Sequence, residues 1–218
     1  MTRSRFPVLP SVEVIRRIRE FVVPLAPPVF AFEREIRDTP FRILISVLLS
    51  SRTQDRVTMA ASRRLFGRAS TPRAMESLTV DEIASLIRPV GFFRQKAANI
   101  AEIARRVDRR GGVPDRYEEL IELPGIGPKS ANLVLALAFH VPAIAVDTHV
   151  GRISVRLGWT KEETPAGVER DLKRLFPKEH WHEINQTLVA FGQTVCRPVT
   201  PRCGECLLRG ECPSSSVW

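Results

Sequence analysis

Lys129 stands in the run Leu123-Pro124-Gly125-Ile126-Gly127-Pro128-Lys129-Ser130-Ala131, and Asp147 follows eighteen positions later in Val146-Asp147-Thr148-His149. The chain carries five lysines against twenty-eight arginines. Composition alone would have put Arg at position 129, and only Lys can form an imine with an electrophilic carbon. A free amine with a pKa of about 10.4 is protonated at neutral pH, and lowering it to about 8 needs roughly 3.3 kcal/mol of bias against the cation. The positive end of a helix dipole supplies roughly 0.3–1 kcal/mol. The sequence therefore predicts that Lys129 is desolvated or lies beside another cation. A carboxylate at Asp147 would stabilise positive charge developing on a sugar and relay a proton. The plainer reading makes Lys129 a phosphate contact and Asp147 an N-cap. Capping and chemistry are compatible at Asp147, since a cap leaves one oxygen free.

The elements around these residues must position them. Gly125 and Gly127 form a tight Gly-x-Gly turn in which the absent Cβ permits φ > 0 and close approach to a ligand. The N–H groups of the helix that follows would then face an anion such as a phosphate. An ordinary helix–turn–helix corner would use the same glycines, with Pro128 in the first helical turn.

A second constellation lies at the other end of the chain, where Cys196, Cys203, Cys206 and Cys212 are the only cysteines. A disulfide scaffold would spread its cysteines, so a local cluster implies metal ligation in a reducing compartment. Zinc is the default for Cys-x2-Cys in a small knuckle, but spacing does not choose between zinc and iron–sulfur.

The remaining pattern is helical, and the fold class is all-α. Thr39-Pro40, Thr71-Pro72 and Thr164-Pro165 each pair an N-cap with Pro at the first helical position. Thr79-Val80-Asp81-Glu82 adds a capping box, and Pro89 closes that helix. Val14, Ile18 and Phe21 or Val22 mark one helix face. Phe41 to Leu49 is apolar almost all round and reads as a buried central helix. Ala131 to Phe139 reads as another apolar helix, stopped at Pro142. Asp147 starts a helix through Val155. No run alternates with period two, so strands are not expected.

A net charge of +9 on 218 residues and a pI near 10.2 favour a polyanionic partner, nucleic acid before membrane. No apolar run approaches the roughly 18 residues of a spanning helix. The Met1–Phe6 segment has no apolar core of a signal peptide. The expectation is a cytoplasmic, nucleoid-associated, monomeric protein with no membrane contact.

The hairpin run, the segment Ile144 to His149 and the cysteine tail together resemble the endonuclease III family of DNA repair glycosylases. The similarity extends through Leu48-Leu49-Ser50-Ser51-Arg52-Thr53-Gln54-Asp55 and Val90-Gly91-Phe92-Phe93-Arg94-Gln95-Lys96-Ala97, and covers roughly residues 12–213. That resemblance implies two helical lobes with a helix–hairpin–helix motif and an active site in the cleft between them. A six-helix lobe would span 30–141, and residues 1–29 would join 142–218 in the second lobe. The cysteines would then hold a 4Fe–4S cluster, displacing zinc, and would shape a basic loop with Arg197, Arg202 and Arg209.

The same resemblance implies a bifunctional glycosylase and abasic-site lyase acting on oxidised pyrimidines in double-stranded DNA. The damaged base is flipped out. Lys129 is the Schiff-base nucleophile, Asp147 is its acidic partner, and Gly125 and Gly127 hold the phosphate. Arg52, Phe92, His149 and Arg152 are the further DNA-contact candidates. Arg52 stands where family members commonly carry Gln, and it can donate to an orphaned base but cannot accept. Phe92 would be a wedge in place of Leu, or alternatively a core aromatic. The competing functions are a monofunctional mismatch glycosylase, which the hairpin lysine disfavours, and a non-catalytic DNA-binding module, which leaves the Lys–Asp pairing unexplained.

Overall fold

Side-chain caps written into the sequence set the starts of five helices in the computed structural model, which describes residues 11–36 and 38–215. The Met1–Phe6 segment lies outside the described residues. Twelve α-helices follow in order: α1 Ser11–Val22, α2 Pro28–Ile36, α3 Pro40–Ser50, α4 Asp55–Arg68, α5 Pro72–Glu76, α6 Val80–Ile87, α7 Phe93–Arg110, α8 Tyr117–Leu120, α9 Pro128–Phe139, α10 Thr148–Arg156, α11 Pro165–Leu175 and α12 Trp181–Thr194. Among the described residues there is no strand, and no helix is long and apolar enough to cross a membrane.

The three Thr-Pro pairs begin α3, α5 and α11, where Thr39, Thr71 and Thr164 accept from the N–H of Arg42, Ala74 and Gly167. Each threonine satisfies one of the donors that a helix start leaves open. Thr79 and Glu82 close both halves of the capping box on α6. One expected stop differs. Helix α9 ends at Phe139 because His140 turns left-handed (φ 54°), and the N–H of Val141 reaches back to Leu135 O. The chain has left the helix before Pro142 acts.

Two compact units divide the chain. One holds the described residues up to Ala31 and from Pro142 onward, and the other is Phe32–Val141; the dividing point Ala31/Phe32 lies inside α2. In the Phe32–Val141 unit, α3 is buried on every side through Phe41, Leu44, Ile45, Leu48 and Leu49, and α9 and α4 pack on it. Helix α7 buries Ala97, Ile100, Ile103, Ala104 and Val107 on one face, packed with α5 and α6.

In the other unit, α1 buries Val14, Ile15, Ile18 and Val22, and its core also holds Val150, Ile153, Leu188 and Phe191 from α10 and α12. Trp159 meets Phe176 edge to face at 5.2 Å, a favourable aromatic geometry. These cores hold the hairpin and the cysteine loop still, each within its own unit.

Candidate active site and thiolate cavity

The hairpin hangs on two buried side chains, Leu123 and Ile126, with Leu123 N donating to Leu120 O and Ile126 N to Leu123 O. Between them Gly125 is left-handed at φ +80°. A Cβ at Gly125 would meet Asn99 Nδ2 at 2.4 Å and Leu48 Cδ1 at 3.0 Å. The positive φ favours glycine there, and any Cβ would have to push the Asn99 amide aside. Gly127 differs from the sequence expectation. It is the N-cap of α9 with φ −99° and ψ −179°, an extended conformation open to any residue.

Nothing lies within 4 Å of a Cβ at Gly127, so that glycine leaves space in front of the helix. It also offers no capping side chain, and Pro128 has no N–H to satisfy. Lys129 follows on the first turn, half-buried. Behind it Ser130, Ala131, Asn132, Leu133 and Val134 are buried. Lys129 therefore stands between a buried helix face and an open helix start.

Asp147 occupies the N-cap of α10, where Oδ1 accepts from His149 N (2.9 Å) and Val150 N (2.8 Å). Both cap bonds fall on one oxygen, which leaves Oδ2 outside the cap. The chain leading to Asp147 is anchored by buried Ile144 and Val146, and by Asn185 Nδ2 donating to Ala145 O at 2.7 Å. Asp147 is half-buried. Lys129 and Asp147 belong to different units, and their joint action is part of the proposal below.

Arg52 and Phe92 are brought together. The Arg52 guanidinium lies 5.6 Å from the Phe92 ring centre, a cation–π distance. Both residues are left-handed, at φ 51° and 57°, and Phe92 is 63% exposed, so it is not a core aromatic. Arg52 is exposed as well.

His149 and Arg152 form a different pair. Arg152 Nη2 is 3.1 Å from His149 Nδ1 and donates to Cys196 O at 2.9 Å, while Nη1 donates to Thr148 O. Arg152 braces α10 to the first cysteine, and its partial burial pulls its pKa below the usual guanidinium value. A Cβ at Gly192 would lie 2.2 Å from His149 Nδ1. Gly192 is thus a packing requirement that the sequence reading missed.

All four cysteine side chains line one cavity, with Leu157, Phe191 and Leu208 as apolar wall and Arg156 at its side. Arg156 Nη1 approaches Cys196 Sγ at 3.3 Å and also donates to Arg197 O at 2.7 Å. Leu208 N donates to Cys206 Sγ at 3.4 Å. Burial pushes the Cys206 thiol up to about 11 and also raises Cys212. Burial in this apolar cavity makes the Cys206 and Cys212 thiols resist ionising, and a cationic centre reverses that preference. Among the described residues, no three His, Cys, Asp or Glu side chains converge to hold a single metal ion.

Lys96, in the segment Val90–Ala97, is a further buried cation that no motif singles out. It is 5% exposed, and its ammonium donates to Leu49 O (2.9 Å), Ser51 O (2.6 Å) and Thr53 Oγ1 (3.3 Å). Burial lowers its pKa to about 8.

A family model described as the HhH-GPD superfamily of base excision DNA repair proteins matches residues 45–178. The chain is 48% identical over 184 residues to Endonuclease III of Thermotoga maritima, covering 83% of this chain and 86% of that one. It is 43% identical over 180 residues to Endonuclease III-like protein 1 of Bos taurus, covering 80% of this chain and 59% of that longer relative. Among solved structures, it resembles a trapped Endonuclease III–DNA covalent intermediate with TM-score 0.83 and 32% identity, over 98% of this chain and 97% of the other. A non-covalent Endonuclease III–DNA complex matches with TM-score 0.79 and 35% identity, over 92% and 95%.

Proposed function

Because the chain belongs to the endonuclease III family of helix–hairpin–helix base excision DNA repair proteins, we propose that it removes oxidised pyrimidines from duplex DNA and then nicks the abasic site. The observation that carries this reading is Lys129 on the first turn of α9. It follows a hairpin whose left-handed turn at position 125 favours glycine.

The damaged nucleotide is extruded from the stack so that its sugar reaches that amine. Lys129 in its neutral form attacks C1′ of the deoxyribose. A bond forms from Nζ to C1′, the glycosidic bond breaks, and the base leaves with its electron pair and takes up a proton. The amine then gives up a proton, the C1′–O4′ bond of the sugar ring breaks with its electron pair going to O4′, which takes up a proton, and an open-chain imine results. Asp147 stabilises the positive charge on the sugar through the oxygen its cap bonds do not use, and it relays protons. The imine acidifies the C2′ hydrogen. Loss of that proton forms the C2′–C3′ double bond, and the 3′ C–O bond breaks with phosphate as leaving group.

Gly125 and Gly127 bring backbone N–H groups close to a phosphate, which sets register on the duplex without reading sequence. Phe92 wedges into the stack, and Arg52 beside it donates to the base left behind. His149 and Arg152 support the DNA face from the first two turns of α10. The two units act as the two lobes that carry this machinery, and the protein works as a monomer on DNA in the cytoplasm.

We assign Cys196, Cys203, Cys206 and Cys212 to a 4Fe–4S cluster. Membership of the endonuclease III family and the lining of one cavity by all four cysteines support a cluster over zinc. When bound, the cluster cross-links the loop from Cys196 to Cys212 and offsets the charge of the four thiolates. A brown preparation with broad visible absorption and four irons per chain supports this assignment. A colourless protein with stoichiometric zinc refutes it.

The reaction is tested by borohydride reduction on a thymine-glycol or abasic duplex. A covalent protein–DNA adduct is expected from the wild type and none from Lys129→Ala. A normal adduct yield from that variant removes the assignment.

A further inference from the structure

Lys96 is the second of the few lysines in an arginine-rich chain to sit where Arg would not serve. A compact ammonium with three donors suits three acceptors converging on one point, which a planar guanidinium fork does not. Two of those acceptors are main-chain carbonyls, Leu49 O in the last turn of α3 and Ser51 O just beyond it. Leu49 O is among the carbonyls that a helix end leaves without an intrahelical donor.

The third acceptor, Thr53 Oγ1, joins two segments. It takes the N–H of Gly91 at 3.2 Å and lies 3.2 Å from Ser51 O. The segments pass so closely that a Cβ at Gly91 would sit 2.8 Å from Arg52 O. Arg52 lies between two of the residues Lys96 holds, and Phe92 follows Gly91 directly. Their left-handed backbones are strained for residues other than glycine and persist only where the surroundings enforce them.

We propose that Lys96 is a positioning residue that locks Arg52 and Phe92 into one preassembled DNA-probing unit, without touching the substrate itself. A wedge set in place before DNA arrives does not have to be ordered during base extrusion, so the effect falls on turnover of duplex substrate. This rests on the wedge reading of Arg52 and Phe92 given above. The juxtaposition it uses lies wholly inside the Phe32–Val141 unit.

The test compares two reactions of the full-length, iron-loaded protein. Base release from a thymine-glycol duplex requires extrusion, whereas incision of a single-stranded abasic oligonucleotide does not. For Lys96→Met, kcat on the duplex should fall by roughly tenfold or more with little change in KM, while single-strand incision stays within about twofold. Combining Lys96→Met with Phe92→Ala should add less than about twofold to the duplex loss of Phe92→Ala alone, because both remove one unit. Lys96→Gln, which keeps two donors, should recover part of the duplex rate.

Parallel loss of both reactions would make Lys96 a general folding residue and overturn the proposal. Full additivity with Phe92→Ala would do the same. If Phe92→Ala leaves duplex turnover unchanged while Lys96→Met lowers it, the wedge reading fails and this inference falls with it. If both substitutions matter but add fully, only this inference falls.

Discussion

Lys129 and Lys96 lie in the same unit and share a side chain, yet their surroundings give them opposite tasks. Lys96 is almost wholly enclosed, is tied to three oxygens, and has a pKa lowered to about 8 by burial. Lys129 is only half-buried, on the first turn of a helix with open space in front of Gly127. A depressed pKa alone would make Lys96 a candidate nucleophile. Access decides otherwise, since an amine fastened to two carbonyls and a hydroxyl inside the protein has no path to a deoxyribose. A perturbed pKa marks a candidate site, and geometry determines what it can do.

Breaking the Lys129 half of this contrast should have the largest effect. Lys129→Arg keeps the positive charge and any phosphate contact but cannot form an imine. Strand nicking on an abasic duplex should fall by about a thousandfold or more, with DNA affinity nearly unchanged. Comparable loss of binding and nicking would mean that the lysine serves only as a cation.

Asp147→Asn comes next. Asn is as good an N-cap as Asp, so melting should hardly move, while single-turnover base release drops by about 10²–10⁴-fold. Asp147→Ala should additionally destabilise the protein by about 1 kcal/mol through the lost cap. Equal activity of the Asn variant and the wild type would reduce Asp147 to a capping residue.

The two hairpin glycines sharpen the contrast at the level of backbone. Gly125→Ala forces a Cβ into Asn99 at positive φ and should destabilise by about 1–3 kcal/mol in denaturant titration. Gly127→Ala meets no neighbour and an ordinary φ. It should therefore leave stability nearly intact while weakening duplex binding through obstruction of the phosphate site. Equal destabilisation by both would contradict the different roles assigned to them.

The last test of the contrast concerns Lys96 and pH. Burial disfavours its ammonium, so the folded protein binds that proton less tightly than the unfolded chain does. Between about pH 8 and about pH 10.4 the unfolded state holds more protons, and stability rises with pH through this term. Wild type should therefore gain on Lys96→Met across that window in urea titrations at successive pH values. A constant difference would show that the ammonium is not disfavoured in the fold.

What the sequence made legible was local. The threonine caps of α3, α5 and α11, the capping box of α6 and the Asp147 cap all bond within three residues, and short-range patterns reveal such bonds. The apolar circumference of α3 likewise declared its burial. Gly127 was read with Gly125 because both are glycine, although only one adopts positive φ.

The brace from Arg152 to Cys196, the packing of Gly192 on His149, and the reach of Lys96 to the end of α3 join residues more than forty positions apart. No spacing rule in a single sequence signals them. The exposure of Phe92 depended on the same unseen contacts, through the Gly91 approach to Arg52.

The most direct test of the whole account is to locate the covalent bond. The protein should be trapped with borohydride on an abasic duplex, digested with protease and nuclease, and the modified peptide sequenced by mass spectrometry. The account predicts a reduced deoxyribose remnant on Lys129 within the Ile126–Leu133 region and none on Lys96. A remnant on Lys96, or on any amine other than Lys129, would contradict it.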